Sequence, residues 1–290
     1  MKLVTFRQDG VVRHGRLIED GTVVQPLGNG DLELFLAQAH GHGGDALAAA
    51  GPALPLADVE LLSPLLRPGK LLAAAANYQD HVTEAGGDPL DKSRLSPRLF
   101  LKPPTSIVGP GADIPMPTVS KQVDWEAELS VVIGATARDV PVADALSVVG
   151  GYLTSNDVSA RSMDFGYERD TGDSHVWFFD WLAGKWLDGF APMGPWLVTA
   201  DEVPDPQDLE IILDVNGKRR QHGNTKDMIF SVAELVSFAS TLMTLEPGDV
   251  IMTGTPSGVG AATGDYLAAG DEMSVTIGGL GTLTNRVVGS

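Results

Sequence analysis

Residues 123–134 read VDWEAELSVVIG. Acidic side chains stand at alternate positions, Asp124, Glu126 and Glu128, and the apolar run Leu129–Ile133 follows. Read as a strand, the segment puts the three carboxylates on one face and Trp125, Ala127, Leu129, Val131 and Ile133 on the other. Carboxylates two residues apart lie about 6.7 Å from each other, and at an effective dielectric near 20 each pair repels by about 2.5 kcal/mol. Water relieves that repulsion if the acidic face is exposed. A divalent cation relieves it if a further carboxylate arrives from elsewhere in the chain. Alternation alone allows both.

The chain has 290 residues, 43% of them hydrophobic, which is enough to bury a full core. Its 20 basic and 38 acidic side chains give a net charge of −18, which argues against nucleic acid or an anionic membrane as partner. The same charge opposes an anionic substrate, so an enzyme for such substrates needs local cations at its site. There is no cysteine, which excludes disulfides, thiolate metal sites and cysteine nucleophiles. The N-terminus MKLVTFRQDGVVRHG lacks an apolar signal-peptide core, and no run of about 18 apolar residues occurs. The expectation is a soluble cytoplasmic protein.

Short strand-like runs and turns open the chain: KLVTF, QDG and VVRHGRLIEDGTVVQPL. DLELFLAQAHG reads as a short helix, and GHGGDALAAAGPALPL has little pattern. Two prolines and a Pro-Gly turn in VELLSPLLRPGKL place a boundary near residue 65, giving a small N-terminal domain at 1–65 and a larger one at 66–290. Strand candidates in the larger part are RLFLK, GYLTSNDVS, PWLVT, LEIILDVNG, DVIMTG, EMSVTIG and GTLTNRVV. The clearest helix is SVAELVSFASTLM, where Ser231 and Glu234 have capping-box spacing. This mixture is mostly β with some α, an α+β class, and not a series of βαβ units.

Four stretches carry chemistry. Asp157 in GYLTSNDVSAR is either a turn former or the carboxylate that completes a hard-oxygen site with Glu126 and Glu128, and Arg161 and Lys185 are candidates to balance its charge. His81 and Glu84 in NYQDHVTEAGG are three residues apart, on one face of a helix, where a carboxylate fixes the imidazole tautomer for water activation; a solvated pair fits the same spacing. DVIMTGTPSGVG, residues 249–260, has glycines and threonines able to present N–H groups to an anion, or to form a structural turn. WFFDWLAGKWLDGFAPMGPW, residues 177–196, has aromatics typical of a core or interface around Lys185, whose ammonium would be partly stripped of water.

Taken in order, NYQDHVTE, RLFLKPPTSIVGPG, VDWEAELSVVIG, GYLTSNDVSAR, GKWLDGFAPMGPWLV, VNGKRRQHGNTKDMIF and LEPGDVIMTGTPSGVG resemble the fumarylacetoacetate hydrolase family. The resemblance spans roughly residues 66–290. It implies that family's mixed β-sandwich or β-roll catalytic domain, a small N-terminal domain, a homodimer and a Mg²⁺ or Mn²⁺ ion. It assigns Glu126, Glu128 and Asp157 as metal ligands, with Asp124 outside the ligand set. It assigns His81 and Glu84 as the water-activating dyad, Lys185 to the reacting oxygens and Thr255 to a substrate carboxylate. Arg161, Lys102, Gln221 and Tyr78 fall in matching motifs as substrate contacts. The chain departs from the family pattern at AAAANY and at SMDFGYERDTGDSHVWFFDWLAG, between Arg161 and Lys185, where substrate contacts usually lie.

The implied substrate is a small 2-oxo acid, and the implied reaction is hydrolysis of a C–C bond in an acylpyruvate-like 2,4-dioxo acid with pyruvate enolate leaving. The same electron sink serves the alternatives of oxaloacetate-like decarboxylation, isomerisation or dehydration. A non-catalytic, metal-stabilised binding protein is the alternative from another class, and it has no use for His81, Glu84 and Lys185.

Overall fold

The computed structural model describes residues 1–39, 47–84 and 86–289. Two β-sheets face each other across the main apolar core, and strands outnumber helices as the α+β reading requires. At the centre of the larger, twelve-stranded sheet lies Ala127–Ile133, antiparallel to Val149–Asn156 on one side and to Val250–Met252 on the other. The sheet continues through Leu71–Ala75, parallel to Val250–Met252, to Arg98–Leu101. In the other direction Val149–Asn156 pairs with Ala191–Thr199, which pairs with Lys2–Gln8. Residues 1–65 thus extend the same sheet through the Lys2–Gln8 and Val11–Ile18 hairpin.

The second sheet has five strands, running from Lys218–Asn224 through Glu210–Val215, Glu272–Ile277 and Gly281–Val288 to Asp113–Pro115. Leu129, Val131 and Ile133 pack in one cluster with Ile211, Val275 and Ile277. Val132, one step out of phase, packs instead with Leu32, Leu36, Leu71 and Val250. Both faces of the strand are therefore covered, which is why its sequence ends in an unbroken apolar run.

Alternation places Trp125, Ala127, Leu129, Val131 and Ile133 in one cluster, as expected. The acidic face is a different matter: Asp124, Glu126 and Glu128 are all buried, so water does not solvate it. The segment also is not one strand. Val123–Asp124 pairs with Ser159–Ala160, and Ala127–Ile133 begins after a break at Trp125 and Glu126. That break ends the strict alternation of the three carboxylates.

The capping box at Ser231 and Glu234 starts the helix Val232–Leu242. The stretch DLELFLAQAHG forms a helix over Leu32–Ala39, while residues 40–46, including much of the weakly patterned Gly and Ala segment, lie outside the described residues. A helix not expected from periodicity covers Ser174–Ala183, capped by Asp173, whose carboxylate accepts from His175 N at 2.8 Å and Val176 N at 3.3 Å. Among the described residues no helix is long and apolar enough to cross a membrane.

Candidate active site and metal centre

Strand register brings Asp157 to the acidic pair. Ala127 lies opposite Asn156, so Glu126 and Asp157 leave the ladder together. Asp157 N donates to Glu126 O at 2.8 Å, and the Asn156 side chain accepts from Glu126 N at 2.8 Å. One carboxylate oxygen from each of Glu126, Glu128 and Asp157 lies within 4.8 Å of the other two, and all three residues are buried.

Cations surround this cluster. Lys185 Nζ lies 2.8 Å from Glu126 Oε2 and 2.7 Å from Asp157 Oδ2. Lys102 Nζ bonds the other oxygen of Asp157. Arg161 spans Asp124, 2.8 Å from its Nε, and Glu126, 2.6 Å from its Nη2. Four carboxylates thus meet three cations, and the shortfall is felt at Glu128. Burial, then the charges of Asp157 and Glu126, push its carboxyl well above the ordinary range. Burial acts the same way on Glu126, yet Lys185 and Arg161 outweigh it and hold that group far below the ordinary range. Burial opposes the charge on Lys185, but Asp157 and Glu126 keep its ammonium above its usual value. Lys102 is buried so completely that its pairing with Asp157 does not offset desolvation, and its pKa is lowered.

The donor set fits a hard divalent cation. It offers three carboxylates and no sulfur or imidazole, and Glu128 commits only Oε2 within the protein, accepting from Gly254 N at 2.7 Å. A cation there would remove the repulsion that lifts Glu128.

The helix Gln79–Glu84 carries the dyad at its predicted spacing. His81 Nδ1 lies 2.6 Å from Glu84 Oε1, and Glu84 Oε2 accepts from Gly258 N at 2.7 Å. A carboxylate accepts only, so Nδ1 holds the proton and Nε2 is the ring's basic position.

The glycine-rich loop after Val250–Met252 does present N–H groups to anions, and those anions are the protein's own. Gly254 N serves Glu128, Gly258 N serves Glu84, and Gly260 N and Ala261 N serve Asp124 at 2.6 and 2.9 Å. At Gly258 φ is +104° and a Cβ would stand 2.2 Å from Arg220 O, so this turn requires glycine. A one-turn helix, Gly260–Thr263, follows the loop where sequence showed no helix signal.

A cavity of about 740 Å³ opens beside the cluster, lined by Glu126, Asp157, Arg161, Lys185, His81 and Thr255 among others. Thr255 Oγ1 is held at 2.8 Å by the side chain of Gln221, which also donates to Pro256 O and accepts from Ala127 N. Gln221 is thus a buried support behind the wall, and Lys102 is likewise buried behind it at Asp157. Tyr78 borders a separate cavity of about 250 Å³ with Asp227 and His222. Burial, then Glu128 and Asp227, raise its pKa well above the ordinary value, and its hydroxyl is buried without a hydrogen-bond partner.

Asn156, Ser159 and Trp125 were not singled out from the sequence. Ser159 Oγ reaches Glu126 Oε1 at 3.3 Å, and Trp125 Nε1 donates to Gly258 O at 3.0 Å. The polar run around Asp157 held a signal for the first two, whereas Trp125 counted only as a core residue. Of the two readings of the Ser174–Ala183 aromatics, core or interface, the core one does not hold for Trp177 and Phe178, which are 62% and 56% exposed and border the cavity.

The family profile for the C-terminal region of fumarylacetoacetate (FAA) hydrolase matches residues 70–288. The chain belongs to the fumarylacetoacetate hydrolase family. Within this family it is 42% identical over 296 residues to 2,4-didehydro-3-deoxy-L-rhamnonate hydrolase of Sphingomonas sp. strain SKA58, covering 99% of this chain and 96% of that one. It is 40% identical over 269 residues to a human mitochondrial oxaloacetate tautomerase, covering 92% and 80% of the two chains. Among solved structures, maleylpyruvate hydrolase of Sphingobium sp. SYK-6 in complex with manganese(II) and pyruvate superposes with a TM-score of 0.77 at 30% identity, covering 100% of both chains. The chain's family relatives are thus enzymes of small organic acids, hydrolases and a tautomerase among them.

Proposed function

We propose that this member of the fumarylacetoacetate hydrolase family hydrolyses a C–C bond in an acylpyruvate-like 2,4-dioxo acid, with Mg²⁺ or Mn²⁺ held by Glu126, Glu128 and Asp157. The observation that carries the reading is the convergence of a fixed His81–Glu84 pair and the Lys185 ammonium on one cavity beside the acidic triad. The hydrolase relative acting on a 2,4-didehydro sugar acid and the pyruvate complex of a second hydrolase support it.

When bound, the metal supplies Lewis acidity and positive charge beside the substrate's 2-oxo group. Thr255 and Arg161 orient the substrate's carboxylate end at the cation-rich wall. Glu84 holds His81 so that Nε2 takes a proton from water as its oxygen bonds to the distal carbonyl carbon. The bond between C3 and that carbon then breaks, its electron pair passing to the pyruvate portion as an enolate. Lys185 stabilises the oxyanion as it grows, and the proton returns to C3. The products are two acids, pyruvate and the acid of the acyl group.

The tautomerase relative favours a second reading, in which Lys185 and its neighbours stabilise an enolate with no water consumed, as in tautomerisation, isomerisation or decarboxylation. Product analysis separates the two. An acylpyruvate panel is followed by loss of ultraviolet absorbance with Mg²⁺, with Mn²⁺ and with chelator. Hydrolysis yields two acids, decarboxylation yields CO₂, and isomerisation leaves the mass unchanged. If no acylpyruvate gives two acids under any metal condition, the hydrolytic reading is wrong. By the family resemblance we also propose that residues 1–65 form a small N-terminal domain and that the enzyme works as a soluble cytoplasmic homodimer.

A further inference from the structure

The cavity is lined by side chains of two unlike kinds. One part of its lining is the carboxylates, Lys185, Arg161 and His81, and the other is an apolar set, Phe100, Leu101, Trp177, Phe178, Trp181 and Trp186. Phe100 sits at the join, with Lys185 Nζ 5.8 Å from its ring centroid and the Trp181 ring 5.1 Å away edge-on. Trp186 donates its indole N–H to Leu101 O at 2.9 Å, so its polar group is already engaged. Trp181 also stacks on Phe178, at 6.2 Å. The helix Ser174–Ala183 supplies three of these six walls, and the exposed Trp177 and Phe178 gain cover only when something fills the space beside them.

At about 30 Å³ for each water-sized group, the six heavy atoms of a pyruvate portion occupy roughly 180 Å³. Most of the roughly 740 Å³ is then left to whatever the distal carbonyl bears. We propose that this group is a bulky apolar acyl chain, an aryl ring or an alkyl chain of about six carbons or more, and that the Ser174–Ala183 helix is its specificity-determining wall. This rests on the 2,4-dioxo acid reading for the reacting end. One exposed cation, Arg98, also borders the cavity, and it defines the rival occupant, a distal carboxylate.

The test uses acetyl-, butanoyl-, hexanoyl-, octanoyl-, benzoyl- and fumarylpyruvate as substrates. A second arm measures binding of pyruvate, 2-oxooctanoate and phenylpyruvate by quenching of tryptophan fluorescence. The proposal expects kcat/KM to rise about fourfold for each added methylene up to the length of the cavity, with benzoylpyruvate well above acetylpyruvate. Binding of the 2-oxo acids should rise in the same order. Phe178→Ala removes an exposed side chain, so the fold is kept, and it should cut the ratio of hexanoyl- to acetylpyruvate kcat/KM by about tenfold, with Trp181→Ala as a second, deeper probe. Rates and affinities indifferent to chain length would overturn the proposal. So would fumarylpyruvate outrunning hexanoylpyruvate, or an unchanged ratio in both variants. If no acylpyruvate is hydrolysed but affinity still climbs with chain length, the hydrolytic reading fails and the apolar subsite stands.

Discussion

The carboxylate of Glu84 accepts a hydrogen bond from Gly258 N at 2.7 Å while its other oxygen holds His81 Nδ1 at 2.6 Å. The dyad is therefore fixed to the same loop that, four residues earlier, binds Glu128 through Gly254 N. The base and one carboxylate of the acidic triad are set by one loop.

Glu84→Gln should break the tautomer control, because the amide can turn its NH₂ towards Nδ1 and leave the proton on Nε2. Hydrolytic kcat is expected to fall about 10²–10⁴-fold. Mn²⁺ affinity, measured by calorimetric titration, should be unchanged, since Glu84 touches none of the three candidate ligands. A parallel loss of Mn²⁺ binding would place Glu84 in the metal site instead.

Trp125 holds the carbonyl of the same residue, its indole N–H donating to Gly258 O at 3.0 Å. Trp125→Phe keeps the apolar packing and removes one hydrogen bond of about 1 kcal/mol, roughly fivefold in rate if all of it acts on the dyad. Acylpyruvate hydrolysis should drop while Mn²⁺ affinity, which does not use the dyad, stays unchanged. A parallel loss of Mn²⁺ affinity would mean that Trp125 only stabilises the fold.

A pH effect on stability arises far from the site. His14 is buried near Phe35, 5.6 Å between ring centroids, and burial lowers its pKa despite the nearby Gly30 carbonyl and Asp31. The folded state holds the ring neutral, so the unfolded state binds more protons below about pH 6.5. Stability from this group is present above that pH and is lost as pH falls towards the lowered folded value. The melting temperature should therefore fall more steeply between pH 7 and 5 in the wild type than in His14→Phe, as read by differential scanning calorimetry at several pH values.

Local signals made much of this legible. Ser231 and Glu234 announced the helix they cap, and the spacing of His81 and Glu84 gave their hydrogen bond, because both relations span three residues. The ordered motifs gave the family and, through it, Asp157 as partner of Glu126 and Glu128. The burial of the acidic face was not legible, because the groups that hold it come from the Gly254–Ala261 loop and the cations Arg161 and Lys185, 35 to 137 residues away in the chain. The Ser174–Ala183 helix was hidden for another reason. Its aromatics occupy several faces, so no period marked it, and only Asp173 as N-cap gave a sign.

The last prediction separates two carboxylates that alternation made equivalent. Asp124 accepts from Trp125 N, Gly260 N and Ala261 N and pairs with Arg161, so each of its oxygens faces a donor inside the fold. Asp124→Asn sets an NH₂ against such a donor, which should cost about 1–3 kcal/mol or more of stability, visible as a lowered denaturant midpoint. Mn²⁺ binding should survive under conditions where this variant is folded. Glu126→Gln differs in its effect on the site. Its oxygens face Arg161 and Lys185, so an NH₂ there should lower the midpoint as well, but it also removes a charged ligand and should abolish both Mn²⁺ binding and turnover. Wild-type turnover by Glu126→Gln in the presence of a chelator would rule out the metal reading, and loss of Mn²⁺ binding in folded Asp124→Asn would return Asp124 to the ligand set.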